Sequence, residues 1–461
     1  MRSEMKEKIV VVGAGSAMFT RGVIRDAIIR NQDLVIGLVD TDPEALLVAE
    51  KLTAKMIAAK KAPITVKAST DIRQILPGAT VVISSIGVGG RRAWEQDIAI
   101  PRKYGIFQPV ADSVMPGGVS RALRMIPATI TIMEHTLDLA PQALIFNYAN
   151  PMSAVCRAAH KATGAPVIGL CIGVVLTAQY LAHQLGVALQ ELFYNAVGIN
   201  HCTWFTEVRV SGRDQLPALK EIGRKKLSEI RQDILGAHFS EAGNLDSAEE
   251  LDNPFSWQLL ERFGAFPAPG DRHVTEFFPA LFQGGNYFGK KLGVDAFSME
   301  NCIAFGDKIY DQMKADAFSK QPLAEDYFEK VSGEHEQALD IVDSIRTNAG
   351  RIYSASLPNL GQIPGLPLGA YVEAPAIADA SGIRHLAQQP LPPALIGLSA
   401  PKFACVETIV EAALEGNRDK FIQALILDGW VSSMDLAAKL ADELLAAQAP
   451  YLPQFRKSAA L

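Results

Sequence analysis

Apolar positions run along the first half of the chain in two alternating rhythms. Ile9 to Val12, Leu34 to Val39, Ile64 to Lys67, Thr80 to Ile86, Ala143 to Asn147 and Pro166 to Leu170 are short, nearly continuous apolar runs, the pattern of strands buried on both faces. Between most of them apolar residues recur at helical spacing, as from Phe19 to Arg30. Strands alternating with helices predict an α/β fold with a doubly wound parallel sheet covered on both sides. From Val197 the rhythm changes. A strand at Cys202 to Val210 precedes a charged helix at Leu216 to Ile234, then a loop-rich segment from Phe263 to Phe288. Helices dominate beyond it, with short strands broken by Pro and Gly near residues 350–400 and amphipathic helices through about Gln448. Two domains are expected: 1–195, and a mixed α/β domain at 196–461 serving substrate binding and oligomerisation.

The first strand ends in the turn Gly13-Ala14-Gly15-Ser16, a helix follows, and the next strand ends at Asp40. Such a turn lets the backbone approach a pyrophosphate, and the helix points its N-terminus at the negative charge. Asp40 is placed for the ribose hydroxyls, which favours NAD over NADP. Met18 replaces the third glycine of the fingerprint. The first domain therefore reads as a Rossmann-type NAD-binding domain, with Gly13, Gly15, Ser16 and Asp40 as cofactor-binding residues.

Composition narrows the setting. Across 461 residues the formal charge is −6, and no long block of Lys and Arg offers a footprint for nucleic acid or an acidic membrane. The charged N-terminus leads into the first strand without a signal-peptide pattern, and the apolar runs read as too short to span a bilayer. Five cysteines, an odd number, suit a reducing compartment better than a disulfide framework. A cytoplasmic enzyme with a small-molecule substrate is the expectation.

Three further places carry candidate chemistry. Asn147-Tyr148-Ala149-Asn150-Pro151 follows a buried strand, so its polar residues emerge at the carboxyl edge of the sheet, where ligands of such folds bind. Cys171 ends another strand, and His201 lies in Gly198-Ile199-Asn200-His201 just before the next. A thiolate and an imidazole can share a divalent ion, although a cysteine after a strand is more often a small buried residue. Asp271, Arg272 and His273 put an acid, a cation and an imidazole side by side in a loop among prolines and aromatics; a solvated turn would look the same.

Taken in order, Gly13-Ala14-Gly15-Ser16, Asp112-Ser113-Val114-Met115-Pro116-Gly117-Gly118, Asn150-Pro151-Met152, Cys171, Gly198-Ile199-Asn200-His201 and Asn359-Leu360-Gly361 resemble glycoside hydrolase family four over most of the chain. Thr203-Trp204 and Gly270 to Phe277 look most like its α-galacturonidase and α-glucuronidase branch. Trp94, where phosphosugar members carry arginine, speaks against that other branch.

The resemblance implies an NAD-dependent exception to paired-carboxylate glycosidases. The sugar is oxidised transiently at C3, loses its C2 proton, eliminates the aglycone, adds water at C1 and is reduced again by the same nicotinamide. By the same resemblance Cys171 and His201 hold a divalent metal, with manganese expected, and Asp271 is the base. Asn150 serves cofactor and sugar, Arg272 pairs with a uronate carboxylate, and Asp97 and Asp112 bind substrate. Ile172 departs from the family's His or Asp and cannot donate a proton, so either another acid such as His273 serves, or the leaving group needs little help, or the reaction itself differs. A homodimer or homotetramer is expected by analogy. A neutral α-galactosidase or α-glucosidase of the same family, a net-redox sugar or hydroxyacid dehydrogenase and a non-catalytic NAD- or sugar-sensing protein are the alternatives.

Overall fold

The computed structural model describes residues 6–17, 19–236, 251–331 and 336–456; Met18 lies outside them. Six parallel strands form its first half: β1 (Glu7–Val12), β2 (Leu34–Val39), β3 (Ile64–Ser69), β4 (Val81–Ser84), β5 (Leu144–Asn147) and β6 (Val167–Gly169). They lie in the order β3-β2-β1-β4-β5-β6, so the chain winds outward in both directions from β1 and β4. Alternation along β1 shows why the apolar runs are unbroken. Ile9 and Val11 enter a core shared with the helices Thr20–Arg30, Pro43–Lys60 and Glu336–Thr347, whereas Val10 and Val12 face the opposite core with Met133 and Cys156. Each face needs apolar side chains, so no polar alternation survives.

The same sheet continues past β6. The strands β7 (Leu192–Ile199), β8 (Cys202–Val210), β9 (Arg213–Asp214), β10 (Phe266–Ala268), β13 (Arg351–Pro358), β14 (Tyr371–Asp379) and β15 (Gly382–His385) add antiparallel pairs, giving thirteen strands in one sheet. Among the described strands, β11 (Asn286–Tyr287) and β12 (Lys290–Lys291) pair apart from it. Their path from β6 is β13-β14-β7-β8-β10, and β7 runs across residue 195. The short strands expected near residues 350–400 thus become the hinge of the whole sheet, pairing β6 through Ser356 and Gly169, and β7 through Glu373 and Gly198.

One helix changes the expectation about apolar length. Among the described residues Pro393–Glu415 is long and apolar enough to cross a membrane. It packs as a core helix, with Leu395, Phe403, Ile409 and Val410 buried and Lys402 bound to Asp428 Oδ1 at 2.7 Å.

Candidate active site

Two sets of elements meet above the carboxyl ends of the parallel strands. After β1, Gly13 takes φ +87°, and its N–H and that of Ala14 both donate to Val39 O. A Cβ at Gly13 would lie 2.9 Å from Ile86 N, and one at Gly15 would lie 2.9 Å from Asp40 Oδ2 and 2.5 Å from Ala45 Cβ. Only glycine allows the backbone to fold this closely. Gly15 N donates to Asp40 Oδ2 at 2.7 Å, and Ser16 Oγ receives Phe19 N at 3.3 Å just before the helix Thr20–Arg30. The turn, the helix start and the acid converge, a cradle whose dimensions and donors fit a dinucleotide.

Opposite it, His201 sits in the two-residue turn between β7 and β8, at φ +68° and almost fully buried. Its Nδ1 lies 3.0 Å from Ser113 Oγ and 3.4 Å from Asp112 Oδ1. The Cys171 thiol is close enough to the same ring to raise its proton affinity, as the strand-end position of Cys171 after β6 allows. The His273 ring stands 4.2 Å from that of His201, centroid to centroid, and its Nδ1 is buried without a partner. Ligand atoms of Asp112, His201 and His273 lie within 4.8 Å of one another. A thiol, two imidazoles and a carboxylate in one place suit a divalent cation of intermediate softness. Because Nδ1 of His201 is engaged by Ser113 and Asp112, Nε2 is the nitrogen left for an ion, and Asp112 acts behind it as an orienting carboxylate.

Electrostatics follow from this packing. Burial opposes ionisation of Asp112, yet His201, His273 and Arg121 outweigh it and hold the carboxyl well below the usual range. Burial likewise opposes a charged His201, but Asp112 and Cys171 raise it well above an ordinary histidine. Burial and the neighbouring His201 push His273 the other way, well below the ordinary value. His273 is the neutral ring of the pair.

Asn150 reaches the cluster: Nδ2 donates to Asp112 Oδ2 at 2.8 Å, its carbonyl accepts Arg121 Nε at 3.1 Å, and Oδ1 is buried without a partner. An unpartnered buried amide oxygen is costly and suits a ligand hydroxyl. Arg272 extends Nη2 to Cys302 Sγ at 2.9 Å, its Nε has no partner, and no carboxylate among the described residues forms an ion pair with it. Met115, at φ +63° and fully buried, occupies a backbone conformation that glycine adopts more easily. It belongs to the core.

Two expectations need correction. Asp271 does not present a free carboxylate. Its Oδ1 accepts Ser256 N at 2.8 Å and Ser256 Oγ at 2.5 Å, and its Oδ2 accepts Phe255 N and Tyr287 Oη, both at 2.7 Å. Four donors use the capacity of two carboxylate oxygens, so no lone pair remains to take a proton from a sugar. Asp271 anchors the loop that carries Arg272 and His273. Asp97 is not a substrate residue either. It is fully buried, paired with Arg124 through Nη1 at 3.1 Å and Nη2 at 2.6 Å, and receives Gln448 Nε2 at 3.0 Å.

Sequence reasoning also passed over three groups near the cluster. Ser113 lies inside the motif beginning at Asp112 and could have been drawn from it. Glu276 Oε1 accepts Val110 N at 2.8 Å and Ala111 N at 2.7 Å, fixing the loop that leads to Asp112. Glu373 is buried behind the His201 turn. The one signal for Glu373 was an acid inside the apolar run Tyr371 to Ala376.

The fold and the site define a glycosidase built on a dinucleotide-binding sheet. Residues 8–187 match the family 4 glycosyl hydrolases and residues 196–431 their C-terminal domain, so the chain belongs to glycosyl hydrolase family 4. It is 31% identical to an alpha-glucosidase of Erwinia rhapontici over 97% of this chain and 99% of that protein. It is 29% identical to an alpha-galacturonidase of Bacillus subtilis over 91% and 92%. Among solved structures it is similar to a 6-phospho-alpha-glucosidase from gut microorganisms in complex with NAD and glucose-6-phosphate. The TM-score is 0.82 at 23% identity, covering 97% of this chain and 99% of that one. Identities this even between glucosidase and galacturonidase relatives single out no branch.

Proposed function

We propose that the chain hydrolyses α-glycosides, with α-uronides preferred, through transient oxidation at C3 and elimination across C1 and C2. The observation that carries this reading is the cluster of His201, Asp112 and His273, with Cys171 beside the His201 ring, at the carboxyl edge of a sheet whose first turn fits a dinucleotide. When bound, NAD would exchange hydride with the sugar and a divalent ion, manganese by preference, would polarise the neighbouring oxygen. Cys171 and His201 Nε2 hold the ion, and Asp112 with Ser113 fixes the His201 ring through Nδ1.

Asn150 Oδ1 accepts from a sugar hydroxyl, which satisfies an atom otherwise stranded in the protein. With Asp271 saturated, His273 Nδ1 is the neutral, unpartnered nitrogen that takes the C2 proton. Arg272, without a carboxylate partner among the described residues, pairs with the uronate. His273, used as the base, cannot at the same time be the acid that Ile172 lacks, so substrates with good leaving groups react fastest.

Incubation of aryl α-galacturonide with the protein, NAD⁺ and Mn²⁺ in D₂O tests the route. Deuterium should enter C2 of the sugar as alcohol is released, without net NADH. Stoichiometric NADH with no alcohol would instead identify a dehydrogenase, and NAD binding with no exchange on any sugar would identify a sensor.

A further inference from the structure

One costly buried side chain behind the site belongs to neither the cofactor cradle nor the ligand cluster. Glu373 lies in the middle of β14, between Val372 and Ala374, both fully buried, and is itself only 2% exposed. A carboxyl group in such a place costs free energy unless donors surround it, and an apolar residue would fill the space at no such cost. Its donors are particular. Oε2 accepts Asn200 Nδ2 and Thr203 Oγ1, each at 3.1 Å, and Oε1 accepts Ser354 Oγ at 3.1 Å from β13.

Asn200 and Thr203 bracket the turn that carries His201. The pair Ile199 and Cys202 closes that turn, leaving Asn200 and His201 as its two free residues. His201 adopts φ +68°, a left-handed conformation that is strained for a non-glycine residue and persists only when its surroundings impose it. The hairpin is pressed tight at the same place: a Cβ on Gly198 would lie 2.4 Å from Cys202 O, and Gly198 pairs directly with Glu373 across β7 and β14. One carboxylate oxygen therefore grips both sides of a strained turn from the neighbouring strand.

We propose that Glu373 is a positioning residue for the cation site: by clamping Asn200 and Thr203 it holds the left-handed turn that aims the His201 ring at Cys171. Residues about 170 positions apart in sequence are tied by two hydrogen bonds, so the ligand geometry depends on β14 seating between β13 and β7. The inference rests on the reading of His201 as an ion ligand.

Mn²⁺ binding, followed by the EPR signal of the free ion, and NAD binding, followed by fluorescence, test it in the full chain. Glu373→Leu should weaken Mn²⁺ by about 10- to 100-fold, the range for partners that orient a metal-bound histidine. NAD affinity should be unchanged. Glu373→Gln should recover most of the loss, because its amide oxygen can still accept from both Asn200 and Thr203. Thr203→Val, which deletes one donor with little change of volume, should weaken Mn²⁺ less than Glu373→Leu and serves if the leucine variant does not fold. Unchanged Mn²⁺ affinity in both Glu373→Leu and Thr203→Val would overturn the clamp, as would a parallel loss of Mn²⁺ and NAD binding. His201→Ala separates the two ideas. If it binds Mn²⁺ as the wild type does, the ligand reading falls and takes the clamp with it. If it loses Mn²⁺ while Glu373→Leu and Thr203→Val do not, only the clamp falls.

Discussion

Glu276 offers the sharpest test of how the loop before Asp112 is held. Burial, reinforced by the Asp112 charge, pushes its carboxyl up to about 8 from an ordinary 4.5, although Val110 N and Ala111 N both donate to Oε1. Its folded-state value lies above that of the unfolded chain, so the native protein holds this proton where the unfolded chain has released it. Stability from this group is therefore complete below pH 4.5, falls as pH rises toward 8, and is flat beyond. Each tenfold change in proton affinity is worth about 1.4 kcal/mol, so the fall amounts to about 5 kcal/mol.

Glu276→Gln keeps an acceptor for the two backbone donors and cannot ionise. At about 2 cal/mol/K per residue the chain loses about 1 kcal/mol for each degree of melting temperature, so the wild type should lose about 5 °C relative to the variant between pH 4.5 and 8. Thermal melts of both proteins across that range measure the difference directly, because every other titrating group is common to the two. Parallel curves would refute the reasoning: Glu276 would then be ionised in the native protein, with Oε2 finding a partner.

Other perturbations separate the roles of residues that look alike in the sequence. Cys171→Ser and His201→Ala should each abolish Mn²⁺-dependent turnover while NAD still binds; unchanged turnover in either would contradict the ligand assignment. Arg272→Ala should raise KM for an aryl α-galacturonide much more than for the matching α-galactoside, and equal losses would make Arg272 structural. Asp271→Asn places an amide against a backbone N–H or the Tyr287 hydroxyl that now donates to a carboxylate, so it should destabilise the protein by roughly 1–3 kcal/mol. An unchanged melting temperature with abolished turnover would return Asp271 to the role of base.

Much of the fold was legible because β1, β2, β4 and β5 are buried on both faces and so leave unbroken apolar runs between helices. Gly13, Gly15 and Asp40 were legible for a local reason: the close turn and its acid sit within one βαβ unit, where spacing in sequence translates into spacing in space. The join between the halves was not. β13 and β14 are more than 150 residues from the strands they bridge, and nothing in their composition names β6 or β7 as partners.

The acids show where the limit lies. Asp97, Asp112, Asp271 and Glu373 are all buried or nearly so, and each could have served a sugar as far as residue type decides. What separates them is how many donors surround each carboxylate. Asp97 is matched by a guanidinium, Asp271 by four donors on Phe255, Ser256 and Tyr287, and Glu373 by three side chains from β13 and the β7–β8 hairpin. Only Asp112 shares its oxygens with two groups that face the ligand cluster, His201 and Asn150. Donor saturation is a property of packing across the whole sheet. The two ligand candidates could be read from strand ends, whereas the residues that aim them could be found only once the strands were seated side by side.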